Sequence, residues 1–169
     1  MLIGSSTLMD IDAIVALYRR VAAIKGGLAR IDSEITRGYV ENFVRQSLGT
    51  GFSLVARMDS VSPIVGEIHT YALGPQVFAH VLGELTIAVD PDHQGQGIGK
   101  ALFTHLLDII KKERPDILRV ELIARESNRK ALAFYQTLGF QIEGKMEGRI
   151  RSVDGSFEAD IPMAWHRPS

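Results

Sequence analysis

A mixed α/β fold is predicted for this chain, with one central sheet covered by helices on both faces. Two observations carry the prediction. Apolar periodicity changes along the sequence in the order helix, helix, three strands, helix, strand, helix, two strands. A sheet sandwiched between helices is the natural way to bury the apolar faces of such a series. In addition, an apolar strand at 81–89 runs through a short polar turn and a glycine-rich stretch into an amphipathic helix. The 169 residues suit one domain, 1–169, with a sizeable core.

Leu2 to Thr7 is a short first strand. Residues 10–24 carry Ile11, Ile14, Leu17, Tyr18 and Val21 at helical spacing, and Gly26-Gly27 ends that helix. Ser33 is the expected N-cap of a second helix, with Ile35, Tyr39, Phe43 and Val44 on its inner face and Gly49-Thr50-Gly51 as its break. Phe52 to Met58 and Ile64 to Leu73 read as strands joined by a turn at Ser60 to Pro63. The helix from Ile98 to Lys112 repeats Leu102, Leu106 and Ile110, and Pro115 stops it. Arg119 to Ala124 is a strand, and a helix starts near Asn128. Asp154-Gly155 marks a hairpin between two final strands. In the last of them Phe157, Ala159, Ile161, Met163 and Trp165 alternate with polar residues and are expected to face a core.

The chemistry centres on Gln94-Gly95-Gln96-Gly97-Ile98-Gly99-Lys100. Glycines at alternate positions let the backbone approach a ligand closely. The first amides of the following helix have no intrahelical acceptor and sit at its positive end. Together they suit a phosphate or pyrophosphate. A nucleoside-triphosphate loop needs Ser or Thr after the lysine, and Ala101 follows Lys100. A dinucleotide fingerprint from Gly95 and Gly97 needs a third glycine where Lys100 stands. The pattern Gln/Arg-x-x-Gly-x-Gly/Ala is met in full by Gln94, Gly97 and Gly99.

A second segment follows the strand at 119–124: Asn128 at a helix start, Tyr135 seven residues on, then Leu138-Gly139-Phe140. The two segments together, in this order, resemble the signatures of the GNAT acetyltransferase superfamily. The resemblance covers residues 82–140, and the order of the flanking elements agrees with it. It implies the GNAT fold, with a mixed, mostly antiparallel sheet. It also implies an acetyl-CoA-dependent N-acetyltransferase that transfers directly to a primary amine of a small molecule or a protein N-terminus. By that resemblance Gln94, Gly95, Gly97, Ile98, Gly99 and Lys100 hold the pyrophosphate. Backbone groups of the strand around Ile87 and Val89, with Asn128, align the pantetheine arm. Tyr135 protonates the departing thiolate. By pattern alone Asn128 is also a plain N-cap, Tyr135 a core residue at helical spacing, and Lys100 an exposed first-turn lysine. Arg125, Arg129 and Lys130 read as a solvated helix end.

An attacking amine must shed a proton, and a carboxylate can accept it. Glu84 is the favoured base, because its spacing to Gln94 is similar to that in phosphinothricin-type acetyltransferases. Strand alternation places it on one face with Thr86 and Ala88. Glu67, which shares a face with His69 and Tyr71 toward an acceptor pocket, and Glu121 stay open as alternatives. Ribosomal-protein-type alanine acetyltransferases carry a glutamate at the position matching Ile123, so their mechanism does not carry over directly. A catalytically inactive CoA-binding module is the alternative reading of the same motifs, and the retained Tyr135 argues against it.

Composition narrows the classes. There is no cysteine, which excludes disulfides, thiolate catalysis and zinc–cysteine sites. His69, His80, His93, His105 and His166 show no metal spacing, and no metal is expected. A net charge of −1 and the absence of a basic run give no reason to expect nucleic acid. No apolar run is long enough to span a bilayer, and no signal peptide is visible. A cytoplasmic protein is expected, and the resemblance implies a homodimer.

Overall fold

The structure is a computed structural model that describes residues 1–24, 26–152 and 154–168. Its elements run β1 (Leu2–Ser5), α1 (Ile11–Ala22), α2 (Arg37–Thr50), β2 (Phe52–Arg57), β3 (Ile64–Ala72), β4 (Val81–Val89), α3 (Ile98–Glu113), β5 (Arg119–Arg125), α4 (Arg129–Thr137), β6 (Gln141–Ile142), β7 (Met146–Arg151) and β8 (Phe157–His166). The sheet order is β1-β2-β3-β4-β5-β8-β6, with β7 also on β8. Only β4 and β5 pair in parallel, among the described residues; the other pairs are antiparallel. The mixed, mostly antiparallel sheet agrees with the expectation.

Two cores lie on opposite faces of the sheet. Ile11, Ile14, Leu17 and Tyr18 of α1 join Val40, Phe43 and Val44 of α2 on one face. Ile98, Leu102, Phe103, Leu106 and Ile110 of α3 join Phe140 and Trp165 on the other. Each buried aliphatic side chain contributes roughly 1.5–3 kcal/mol over its exposed state, so the stripes read from the sequence are the main fold determinants. Arg167 closes α3 from the far end of the chain. Its guanidinium donates to the carbonyls of Ile110, Lys111 and Arg114 at 3.0, 3.2 and 2.7 Å. Ile110 O also accepts from the Arg114 N–H and Arg114 O from the Ile117 N–H, so the guanidinium adds a second donor to each, and a cation suits that end of a helix.

Four local expectations need correction. The cap of α2 is Thr36, whose Oγ1 accepts from the Tyr39 N–H at 3.1 Å. Ser33 lies in a 3-10 turn upstream, because Ile35 must first reach the core. Gly49 lies inside α2, which ends at Gly51. The first strand stops at Ser5, and Thr7 caps a short turn, accepting from the Met9 N–H at 3.2 Å. Phe157 is 64% exposed. It stands at the hairpin end of β8, beyond the reach of either core, with the Arg151 guanidinium over its ring. Ala159, Ile161, Met163 and Trp165 are buried as expected.

Candidate active site

The turn after β4 is anchored by Asp90. Its N–H donates to Val65 O at 2.9 Å, its Oδ1 accepts from the Asp92 N–H at 3.0 Å, and Arg20 pairs with Oδ2. Burial alone would raise this carboxyl, but the Asp92 amide and Arg20 outweigh it and hold it below the usual range. The chain then turns through Gly95 and Gly97, at φ +78° and +82°, in the left-handed region that glycine enters without strain. Gly97 is the N-cap of α3. None of the backbone N–H groups from Gly95 to Lys100 finds an acceptor among the described residues. A Cβ at Gly95 or Gly97 would meet nothing within 4 Å, so the space before these amides is open. Ile87 and Val89 lie beneath the first turn of α3, 3.7 and 3.8 Å from where a Gly99 Cβ would stand. Lys100 and Gln94 are exposed, and Gln94 Nε2 reaches Val89 O at 3.4 Å.

A cleft of about 560 Å³ lies where β4 and β5 separate. The two strands pair only at Val81–Arg119 and Leu82–Val120. Just beyond, β4 bulges: His69 faces Thr86, Tyr71 faces Gly83, and Thr70 alone answers Glu84 and Leu85. Glu84 takes φ +53°, the one non-glycine residue with positive φ among the described residues. A bulge of this kind bends its strand and re-aims a side chain. Simple alternation therefore fails here. Gly83, not Glu84, continues the face of Ala88 and Thr86, yet the Glu84 side chain still lines the cleft. From β4 the cleft also takes Thr86 and Ile87, and from β5 Glu121 and Ile123.

Tyr135 reaches the cleft from α4, while its ring packs with Phe103, Phe134 and Phe140. Burial pushes its pKa up to about 12, so the phenol keeps its proton across the working range. Its hydroxyl has no hydrogen-bond partner among the described residues. Asn128 caps α4, with Oδ1 accepting from the Ala131 N–H at 3.2 Å, and it also lines the cleft. Arg125 is no solvated helix end. It donates to Glu158 Oε1 at 2.9 Å and reaches Leu28 O at 3.4 Å, tying β5 to β8 and to the loop after α1.

The three carboxylates occupy different settings. Glu84 is exposed at the cleft. Glu121 lines it while accepting from Arg119 Nε at 2.6 Å. Glu67 does not line it at all: it is fully buried behind His69. It accepts from the Tyr18 hydroxyl at 2.6 Å and from Ser53 Oγ at 2.9 Å, and His69 Nδ1 lies 3.1 Å away. Burial first, then the charge of Glu67, raise Tyr18 well above its ordinary pKa and keep it a donor.

A glycine turn with unpartnered amides and the N-terminus of α3 thus follow β4, and β4, β5 and Tyr135 line a cleft between parted parallel strands. Residues 28–140 match the acetyltransferase (GNAT) family. The chain belongs to that family. Among relatives, the ribosomal protein bS18-alanine N-acetyltransferase of Escherichia coli K12 is 42% identical over 84 residues, 48% of this chain and 55% of that protein. The N-alpha-acetyltransferase RimI of Mycobacterium tuberculosis is 33% identical over 106 residues, 63% of this chain and 53% of that one. The chain thus spans about half the length of these relatives. A GNAT-family acetyltransferase structure from Streptococcus pneumoniae matches with TM-score 0.85 at 22% identity, covering 98% of this chain and 99% of that one. A phosphinothricin acetyltransferase from Sinorhizobium meliloti, solved in complex with AcCoA, matches with TM-score 0.84 at 17% identity, over 98% and 87% of the two chains. These likenesses show the shared fold.

Within the GNAT frame, sequence reasoning missed two features. One is the bulge at Glu84, which a two-residue period cannot reveal. The other is the polar cluster under His69. Its traces in the sequence are a Tyr on the inner stripe of α1, a Ser on the buried strand β2 and a Glu two residues before His69 on β3, at positions that otherwise take apolar residues. No group of three or more potential metal ligands occurs among the described residues, and none of their helices is long and apolar enough to cross a membrane.

Proposed function

We propose that this GNAT protein is an acetyl-CoA-dependent N-acetyltransferase. It moves the acetyl group directly onto a primary amine of a small molecule or of a protein N-terminus. The run of unpartnered amides from Gly95 to Lys100, on the turn that directly follows the cleft-lining strand β4, is the observation that supports this most. These amides, with Gln94 beside them and the Lys100 ammonium nearby, would receive the pyrophosphate. The edge of β4 from Gly83 to Val89, unpaired on its β5 side, offers backbone groups to the amide-bearing pantetheine arm. Asn128 adds a side chain to the same wall. An amide of β4 near Ile87 would polarise the thioester carbonyl.

The thioester supplies the reactivity, and the protein supplies placement and proton management. Glu84, at the cleft and on the strained bulge, receives the incoming ammonium and takes its first proton. Tyr135, held protonated by burial, donates to the thiolate sulfur. Ile123, an apolar side chain facing the cleft, offers no proton acceptor. A homodimer in the cytoplasm completes this reading, and sedimentation would check the dimer.

Melting curves with coenzyme A, ATP and NAD test the assignment, followed by turnover of acetyl-CoA against an amine panel. Stabilisation by coenzyme A and acetylation of at least one amine are expected. A response to ATP or NAD with none to coenzyme A would overturn it.

A further inference from the structure

A buried polar cluster lies behind the cleft. Glu67 is 0% exposed and has no Lys or Arg beside it among the described residues, so its oxygens depend on hydrogen-bond donors. Two hydroxyls supply them. Tyr18 donates to Oε2 at 2.6 Å, and Ser53 donates to Oε1 at 2.9 Å while accepting from Ser6 Oγ at 2.7 Å. The third group is His69 Nδ1, 3.1 Å from Oε2. With both hydroxyls donating to it, an ionised Glu67 has no proton to give, so the Nδ1 edge of the imidazole, which also lies 3.3 Å from the Tyr18 oxygen, is the donor to Oε2. Nδ1 therefore carries the proton, and the lone pair sits on Nε2.

Nε2 is not sealed. The side-chain atoms buried without a partner among the described residues are Ser47 Oγ and His93 Nδ1. His69 is only 2% exposed, yet it lines the cleft and its Nε2 has no hydrogen bond to another described residue. The ring is held face to face with Phe43, centroids 3.8 Å apart at 10°, and lies parallel to Tyr71 at 6.2 Å. His69 also pairs with Thr86, so both side chains stand on one face, where β4 has left β5. This is the geometry of a base whose tautomer and direction are fixed by a partner behind it.

We propose that His69 Nε2 is a catalytic proton acceptor on the amine side of the cleft, with Glu67 as its positioning residue. The proposal rests on the acetyltransferase reading. An ammonium must lose two protons to become an amide. The first leaves before attack, to Glu84 or water. The neutral nitrogen then forms the C–N bond at the thioester carbon and passes through an N⁺H₂ stage. His69 takes the second proton from that nitrogen. The C–S bond breaks, and the sulfur leaves with a proton from Tyr135. One of the two protons restores Tyr135 and the other goes to solvent, so the reaction balances. The titratable and charged groups around His69 are Tyr18 from α1, Tyr39 from α2, Glu67 and Tyr71 on β3, Glu84 on β4 and Arg30 from the loop before α2. The profile of the wild type is thus read against variants at more than one of them.

Two measurements decide. Nitrogen-15 NMR of the wild type, without any variant, should show His69 Nε2 with a pyridine-type shift and Nδ1 with a proton. An Nε2–H tautomer would overturn the proposal. In kinetics, H69A should lose about 10²-fold in kcat while coenzyme A still shifts its melting temperature. Added imidazole should restore part of the rate, a rescue that a packing role would not give. E67Q should lower kcat more than it alters KM and change the NMR tautomer. A folded H69A with wild-type kcat beside an active wild type overturns the role of His69 alone. A wild type that binds coenzyme A but acetylates no amine overturns the acetyltransferase reading, and the role of His69 with it.

Discussion

Gly97→Asp separates the fold from the ligand site at a single backbone position. Gly97 sits at φ +82° and caps α3 without a side chain. An L residue in this region costs about 1–2 kcal/mol, less for Asp, which tolerates it. The new Cβ meets no protein atom within 4 Å, so no clash adds to the strain. A loss on the order of 1 kcal/mol lowers the melting temperature of a domain this size by roughly 2–4 °C. The effect on binding is larger. The carboxylate stands before the free amides of residues 98–100, occupies the phosphate position and repels its charge. In the wild type, coenzyme A at a hundredfold excess over its Kd adds about 2.7 kcal/mol, or roughly 5–11 °C. Gly97→Asp should show the small fall and none of the rise. Gly97→Ala, with the strain but not the charge, should keep part of the rise. Melting curves and calorimetric titration with coenzyme A make the comparison. Wild-type affinity in the folded Gly97→Asp protein would place the pyrophosphate elsewhere and refute the reasoning.

Tyr135→Phe should cut kcat by roughly 10²–10⁴-fold with acetyl-CoA affinity almost unchanged, as read by steady-state kinetics and titration. The same substitution has a stability signature. Because burial holds the folded pKa at about 12 against an ordinary 10.0, the contribution of this group is complete below 10.0 and fades as pH rises toward 12. Wild type should therefore lose more stability across that window than Tyr135→Phe does, measured by denaturant midpoints. Glu84→Gln should lose activity that partly returns as pH rises and more of the free amine is neutral. A pH–rate profile unchanged from wild type would remove Glu84 from the proton path, with Glu121→Gln as control. Arg119 holds Glu143 down at about 2 from an ordinary 4.5. The stability from that depressed group is present above 4.5 and lost as pH falls toward 2. Arg119→Met should lower the denaturant midpoint near neutrality and flatten its fall between those values.

The elements that the sequence revealed are those whose period matches their environment. The stripes of α1 and α3 each face one core, so a helical period reports them directly. The Gly95–Gly99 turn was legible because positive φ and free amides demand particular residues. What escaped was set across the chain. Thr36 beat Ser33 as the cap because Ile35 had to be buried before the helix could start, a tertiary demand. Phe157 obeyed the alternation but lay past the end of the core. Arg125 read as solvated because its partner Glu158 is on a strand more than thirty residues away. Tyr18, Ser53 and Glu67 each look out of place alone, and they make chemical sense only once α1, β2 and β3 are packed together.

The bulge joins these local facts into one site. A strained αL residue that is not glycine costs about 1–3 kcal/mol and persists only where its surroundings hold it. At Glu84 the cross-strand pairs on either side do so, His69 with Thr86 and Tyr71 with Gly83. The same extra residue ends the pairing of β4 with β5, opens the strand edge toward the α3 loop, and turns a carboxylate into the cleft. It also leaves Thr86 and His69 side by side on the face covered by α1 and α2, away from Tyr135 on the α4 side. The two ends of the proposed proton path, deprotonation of nitrogen and protonation of sulfur, therefore approach the cleft from opposite layers of the domain. A regular strand at Glu84 would stay paired with β5 and leave no gap for the two layers to meet.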